Sequence, residues 1–132
     1  MRIGLLGGGQ LGLMMIEAAH KFGVSVTVFE NSRSCPASKI CDDLIEANFT
    51  DLNALSKFRE ECDVFTIETE NVPLASLAYL SEKKALTPNI EAIRIAQNRI
   101  LEKEFAKSLG IPTVPFVEIT ASNIEKIEKF LF

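Results

Sequence analysis

The chain begins Met1-Arg2-Ile3-Gly4-Leu5-Leu6-Gly7-Gly8-Gly9-Gln10-Leu11-Gly12, and the reading of this stretch decides the fold. Ile3 to Leu6 is an apolar run that reads as a buried parallel strand. It breaks into Gly7-x-Gly9-x-x-Gly12 where a helical pattern begins. Strand, glycine turn and helix together make a phosphate-type loop. The glycines permit a tight turn and close approach of a ligand to bare backbone, and the helix offers unpaired N–H groups and the positive end of its dipole to an anion. Two readings stand side by side: a loop that binds phosphate, and a loop that only turns a strand into a helix.

Beyond the loop, Leu11, Met14, Met15, Ala18, Ala19 and Phe22 recur at three- and four-residue steps. This spacing predicts a helix that ends at Gly23 and packs that face on the sheet. His20 lies off the stripe and takes no role. Val24 to Glu30 is rich in β-branched residues and reads as a second parallel strand reached by a crossover helix. Glu30 stands near the roughly 20-residue spacing at which a dinucleotide fold places the carboxylate that accepts ribose hydroxyls, which raises an NAD hypothesis. Asn31 to Asp43 is turn-rich and reads as a surface loop with one helical turn. Leu44 to Ala47 is a short strand. Asp51 is placed to cap a helix with Leu52, Leu55, Phe58 and Cys62 inward, and Asp63 to Ile67 is the next strand. The alternation predicts an α/β fold: a Rossmann-like, doubly wound, mostly parallel sheet with helices on both faces.

The apolar strand Val64-Phe65-Thr66-Ile67 opens directly into Glu68-Thr69-Glu70-Asn71-Val72-Pro73. In parallel sheets the carboxyl ends of the strands line the ligand crevice, and Glu68 and Glu70 alternate, so both side chains are expected on one side of the extended chain. A carboxylate there can accept hydrogen bonds from vicinal ribose hydroxyls or from an amine. The bland alternative is that one glutamate caps the helix starting at Pro73 while the other is solvated. Leu74, Leu77 and Leu80 face inward on that helix, and Ala85 to Thr87 is a short strand. Ile90 to Leu109 is helical with two apolar phases, so it is expected to break near Gln97, with Asn98 starting the second half. Arg99 and Lys103 share one face, flanked by Glu102 and Glu104, and read from spacing alone as solvated charges. Gly110-Ile111-Pro112-Thr113-Val114-Pro115 stops the helix and has linker character. Phe116 to Ile119 is a last strand candidate. Ser122-x-x-Glu125 reads as a capping box for a helix with Ile124, Ile127 and Leu131 inward. That helix runs into Phe130-Leu131-Phe132 without a cap, which suggests a longer architecture cut short.

The totals bound the function. A chain of 132 residues is one ordinary domain. A formal net charge of −4 with scattered Lys and Arg argues against nucleic acid and against an anionic membrane surface. No apolar run spans a bilayer and the start lacks a secretory pattern, so a soluble, cytoplasmic chain is expected. Cys35, Cys41 and Cys62 fit no metal or disulfide spacing and read as reduced thiols.

The run Gly7-Gly8-Gly9-Gln10-Leu11-Gly12 with Met14, then Pro36-Ala37, Glu68-Thr69-Glu70-Asn71-Val72-Pro73, Gln97-Asn98-Arg99 with Glu102-Lys103, and Gly110-Ile111-Pro112-Thr113 resembles the amino-terminal portion of the carboxyaminoimidazole ribonucleotide synthase family. The resemblance covers essentially the whole chain and rests on the order and spacing of these segments together. It implies a pre-ATP-grasp domain over residues 1–109, followed by a linker and the truncated start of the ATP-grasp region over 110–132. It further implies that ATP phosphorylates bicarbonate to carboxyphosphate, which carboxylates the exocyclic amine of 5-aminoimidazole ribonucleotide in purine biosynthesis. Carried over by position, Gly9, Gln10, Leu11, Glu70 and Asn71 would line the ribonucleotide pocket and Arg99 would contact ATP, its guanidinium suiting phosphate oxygens. The family usually has Asp at Asn98, and Phe or Ile at Thr69. Its Mg2+ ligands belong to later lobes, so the chain alone is expected to bind without turnover. A homodimer is compatible with the sequence. The competing readings are an NAD(P)-binding domain of an oxidoreductase, which Gln10 opposes by crowding the pyrophosphate position, and a non-catalytic dimerisation module.

Overall fold

Alternating apolar residues divide the first three strands of the chain between two cores. The computed structural model describes residues 1–120 and 122–123. Among them the strands are β1 (Arg2–Leu6), β2 (Ser25–Glu30), β3 (Asp43–Glu46), β4 (Val64–Ile67) and β5 (Leu86–Thr87). The helices are α1 (Gln10–Lys21), α2 (Leu52–Glu61), α3 (Leu74–Ser81), α4 (Ile90–Ala96) and α5 (Arg99–Ser108), with a 3-10 turn at Pro36–Lys39. All strand pairs are parallel and the order is β3-β2-β1-β4-β5. Leu6, Phe29, Ile45 and Phe65 point to one face, where they meet Leu55 and Phe58 of α2, Leu77 and Leu80 of α3 and Ile93 of α4. Leu5, Val26 and Val28 point to the other, against Ile16 of α1 and Ala37 of the 3-10 turn. This is the period-2 signature of a sheet covered on both sides, and the doubly wound α/β expectation holds.

Aromatic rings knit the first core. Phe29 lies between Phe49, at 5.9 Å between centroids, and Phe58, at 5.2 Å, and Phe58 continues to Phe65 at 5.2 Å. Gly4 in β1 makes this possible: a Cβ there would lie 2.6 Å from the Phe65 ring and 2.7 Å from that of Phe58. The missing side chain is the space the rings fill. On the same face Arg59 of α2 stacks 3.8 Å over the Tyr79 ring of α3 and donates to the Tyr79 carbonyl at 2.9 Å. The Lys84 ammonium donates to the carbonyls of Arg59 and Cys62, and to that of Glu60, at the end of α2.

Three expectations need correction. The face of α1 against the sheet is not Leu11, Met14, Met15, Ala18 and Phe22, all exposed; Leu11 is 61% and Phe22 84% accessible. The buried positions are Gly12 and Ile16, with Ala19 packed beside them. The glycine loop sets this phase. Gly12 must face the sheet because a Cβ there would stand 3.2 Å from the Gly7 carbonyl, and the helical period then turns Ile16 and Ala19 inward. Leu52 is 63% exposed, since it opens α2 before the helix reaches the core. Phe116 to Ile119 form no strand, pairing with no other strand among the described residues. The helix expected around Ile124, Ile127 and Leu131 lies outside the described residues.

The chain falls into two compact units, Met1–Arg94 and a second starting at Ile95. The first holds all the buried apolar residues just named. In the second, α5 buries none of its side chains, and Gly110 ends it with φ +71°. No helix among the described residues is long and apolar enough to cross a membrane. Cys35, Cys41 and Cys62 are free thiols.

Candidate functional site

Strand order places the site. β2 and β3 lie on one side of β1 and β4 and β5 on the other, so the connections diverge between β1 and β4, where open parallel sheets hold ligands at the carboxyl ends of their strands. The last pair of those strands is Leu6 with Ile67. The glycine loop and the Glu68 loop therefore leave the sheet side by side.

The loop amides are already in use. Gly7 donates to the Phe29 carbonyl at 3.1 Å and turns the chain at φ +99°, a region that only glycine enters freely. The Gly8 N–H donates to Glu30 Oε2 at 2.9 Å, and the Gly9 N–H to Glu68 Oε2 at 3.3 Å. Gly9 is the N-cap of α1 and has no side chain to cap with. Glu68, just beyond β4, accepts from the N-cap N–H of Gly9, the bond that a Glu at the third helical position makes in a capping box. A Cβ on Gly9 would lie 2.5 Å from Glu68 Oε1, and one on Gly8 2.6 Å from Cys35 Sγ. The 3-10 turn closes the other side, with Ala37 N–H donating to the Gly8 carbonyl at 2.9 Å.

Glu30 accepts a second bond, from Asn31 N–H, at 2.6 Å. Each of its oxygens therefore holds one backbone N–H, with lone pairs remaining for other donors. The partnership of Glu30 and Glu68 with the glycine amides escaped sequence reasoning. Its only available signal was a carboxylate ending each strand that flanks β1.

Gln10 and Leu11 form the first exposed turn of α1, and Glu70 and Asn71 are exposed in the loop between β4 and α3. Thr69 orders that loop: its hydroxyl oxygen accepts from the Asn71 backbone and side-chain N–H groups, each at 3.3 Å. The sequence-predicted residues Gly9, Gln10, Leu11, Glu70 and Asn71 thus stand on two adjacent loops. Arg99 opens α5 in the second unit, capped by Asn98. Its guanidinium is 79% exposed and pairs with Glu102 at 2.6 Å, so an ATP phosphate would compete with that carboxylate. A groove of about 640 Å³ in the same unit is lined by Lys107 and by residues from Gly110 to Phe116. It offers one cation and no acid. Among the described residues no three His, Cys, Asp or Glu side chains converge to hold a metal.

Comparison with known proteins matches residues 1–97 to the family described as the ribonucleotide synthetase preATP-grasp domain. The N5-carboxyaminoimidazole ribonucleotide synthase of Staphylococcus aureus strain COL is 40% identical over 121 residues, covering 92% of this chain and 32% of the relative. The crystal structure of the Staphylococcus aureus N5-carboxyaminoimidazole synthetase complexed with ADP superposes with a TM-score of 0.89 at 38% identity, over 97% of this chain and 35% of that one. The Aspergillus clavatus enzyme in complex with ADP and 5-aminoimidazole ribonucleotide gives 0.82 at 32% identity, over 98% and 36%. The chain spans about a third of the length of the relatives it matches.

Proposed function

This chain belongs to the ribonucleotide synthetase preATP-grasp domain family, and from that premise we propose that it is the substrate-binding amino-terminal part of an enzyme that carboxylates 5-aminoimidazole ribonucleotide in purine biosynthesis. In this reading ATP activates bicarbonate and the carboxyl group passes to the exocyclic amine. The chain's own share is to hold the ribonucleotide. Gly9, Gln10 and Leu11 supply the wall formed by the start of α1. Glu70 accepts hydrogen bonds from ribose hydroxyls or from the amine, and Asn71 stands beside it. Arg99 offers its guanidinium to ATP phosphate oxygens. Among the described residues no three His, Cys, Asp or Glu side chains converge to hold magnesium. With about a third of its relatives' length, the chain alone binds without turning over.

The observation that carries the reading is the pairing of the glycine loop with the Glu68 to Asn71 loop at the switch point between β1 and β4. Carboxylates from the ends of two flanking strands hold the Gly8 and Gly9 N–H groups of that loop. Calorimetric titration of 5-aminoimidazole ribonucleotide into the chain tests it. We expect weak binding, in the high-micromolar to roughly millimolar range, weakened about tenfold or more in Glu70→Ala as a charged acceptor is lost. No heat from the ribonucleotide, together with binding of NADH, would transfer the site to an oxidoreductase.

A further inference from the structure

We propose that Thr69 is a positioning residue of the ribonucleotide site, its methyl seated against the glycine turn and its hydroxyl holding Asn71, so that the loop carrying Glu70 and Asn71 keeps one shape. The inference rests on the ribonucleotide reading and gives Thr69 no contact with the ligand. Two anchors bound the loop. The Glu68 N–H donates to the Leu6 carbonyl at 2.8 Å, one step beyond the last paired residue of β4, and Val72 is buried in the first core. Between these anchors Glu70 and Asn71 are exposed, whereas Thr69 is half-buried.

Both branches of Thr69 are in use. A Cβ on Gly7 would stand 3.1 Å from Thr69 Cγ2, so the methyl fills space on the bare side of a residue held at φ +99°. Thr69 Oγ1 accepts from the Asn71 backbone N–H and from Asn71 Nδ2, each at 3.3 Å. One oxygen thus restrains the backbone and the side chain of Asn71 together. The two branches turn about χ1 as a unit, and rotating the hydroxyl away from Asn71 would lift the methyl from its seat. A loop ordered before the ligand arrives spares the binding step the entropy of ordering it.

The test uses the whole 132-residue chain and 5-aminoimidazole ribonucleotide, titrated by NMR into wild type, Thr69→Val and Thr69→Ser, with a melting curve for each. Thr69→Val keeps the shape and loses the acceptor. Its ribonucleotide affinity should fall about fivefold, the worth of a typical hydrogen bond. Exchange of the Asn71 N–H should quicken by a similar factor before any ligand is added, with the melting temperature unchanged. Thr69→Ser keeps the hydroxyl and should recover most of the loss in both readouts. Weaker binding by Thr69→Val without faster exchange at Asn71 would put Thr69 on the ligand itself and overturn the proposal. A serine variant as weak as the valine one would also overturn it, since the hydroxyl would then not be the group that acts. If wild type binds the ribonucleotide and Thr69→Val binds it equally well, the role of Thr69 falls and the substrate reading stands. If wild type binds no ribonucleotide, the substrate reading falls and the assignment of Thr69 to that site falls with it.

Discussion

Cys62 places its thiol in the first core, fully buried at the end of α2. Burial pushes its pKa up from 9.0 to about 11, against a smaller opposing pull from the Thr27 hydroxyl. A folded pKa above the unfolded one means that the stability from the neutral thiol is complete below pH 9 and is lost as pH rises through about 11. Urea midpoints should therefore fall across that window and fall less in Cys62→Ala; parallel declines in both proteins would assign the loss to another group. The inward position of Cys62 was legible from its helical spacing with Leu55 and Phe58. The need for Gly4 was not, because the rings that exclude a side chain there belong to α2 and β4. Glu30 was legible as a carboxylate of the site, yet its partner is the backbone of the glycine loop, a contact that appears only once β1 and β2 are paired.

At the scale of elements, α2 and α5 begin with the same device and differ in what they cover. Asp51 Oδ1 accepts from Asn53 and Ala54 N–H at 3.0 and 3.1 Å. Asn98 Oδ1 accepts from Ile100 and Leu101 N–H at 3.0 and 3.2 Å. Leu55 and Phe58 of α2 are buried, whereas α5 buries nothing. Asp51→Ala should cost about 1 kcal/mol of global stability, read from urea unfolding. Asn98→Ala should leave the urea midpoint in place and speed amide exchange at Ile100 and Leu101. Equal shifts of the midpoint would contradict the distinction. Both caps, and the break between α4 and α5, were readable from residue type and apolar phase. The buried face of α1 was not, since a turn of glycine packed on backbone fixed it while the larger apolar residues faced outward. Phe116 to Ile119 had the composition of a strand and pairs with no strand among the described residues.

For the whole molecule, the alternation of strands and helices was enough to foresee a covered parallel sheet, while strand order needed the pairing itself. Among the described residues every buried apolar side chain, from Leu5 to Ile93, belongs to the unit Met1–Arg94, and the family match ends at residue 97. We propose that this part is an autonomous domain. A chain of residues 1–97 should melt cooperatively and within about 4 °C of the 132-residue chain, the shift that roughly 1 kcal/mol produces at this size. Loss of the cooperative transition would mean that residues after 97 complete the fold. The stacking of Arg59 on Tyr79 has its own use in such experiments. The sequence has one tyrosine and no tryptophan, so emission excited beyond the phenylalanine absorption comes from a single ring, wedged between α2 and α3 under a guanidinium. The protein carries a built-in optical probe of that seam, and parting of the two helices would register as a change in tyrosine light without any label.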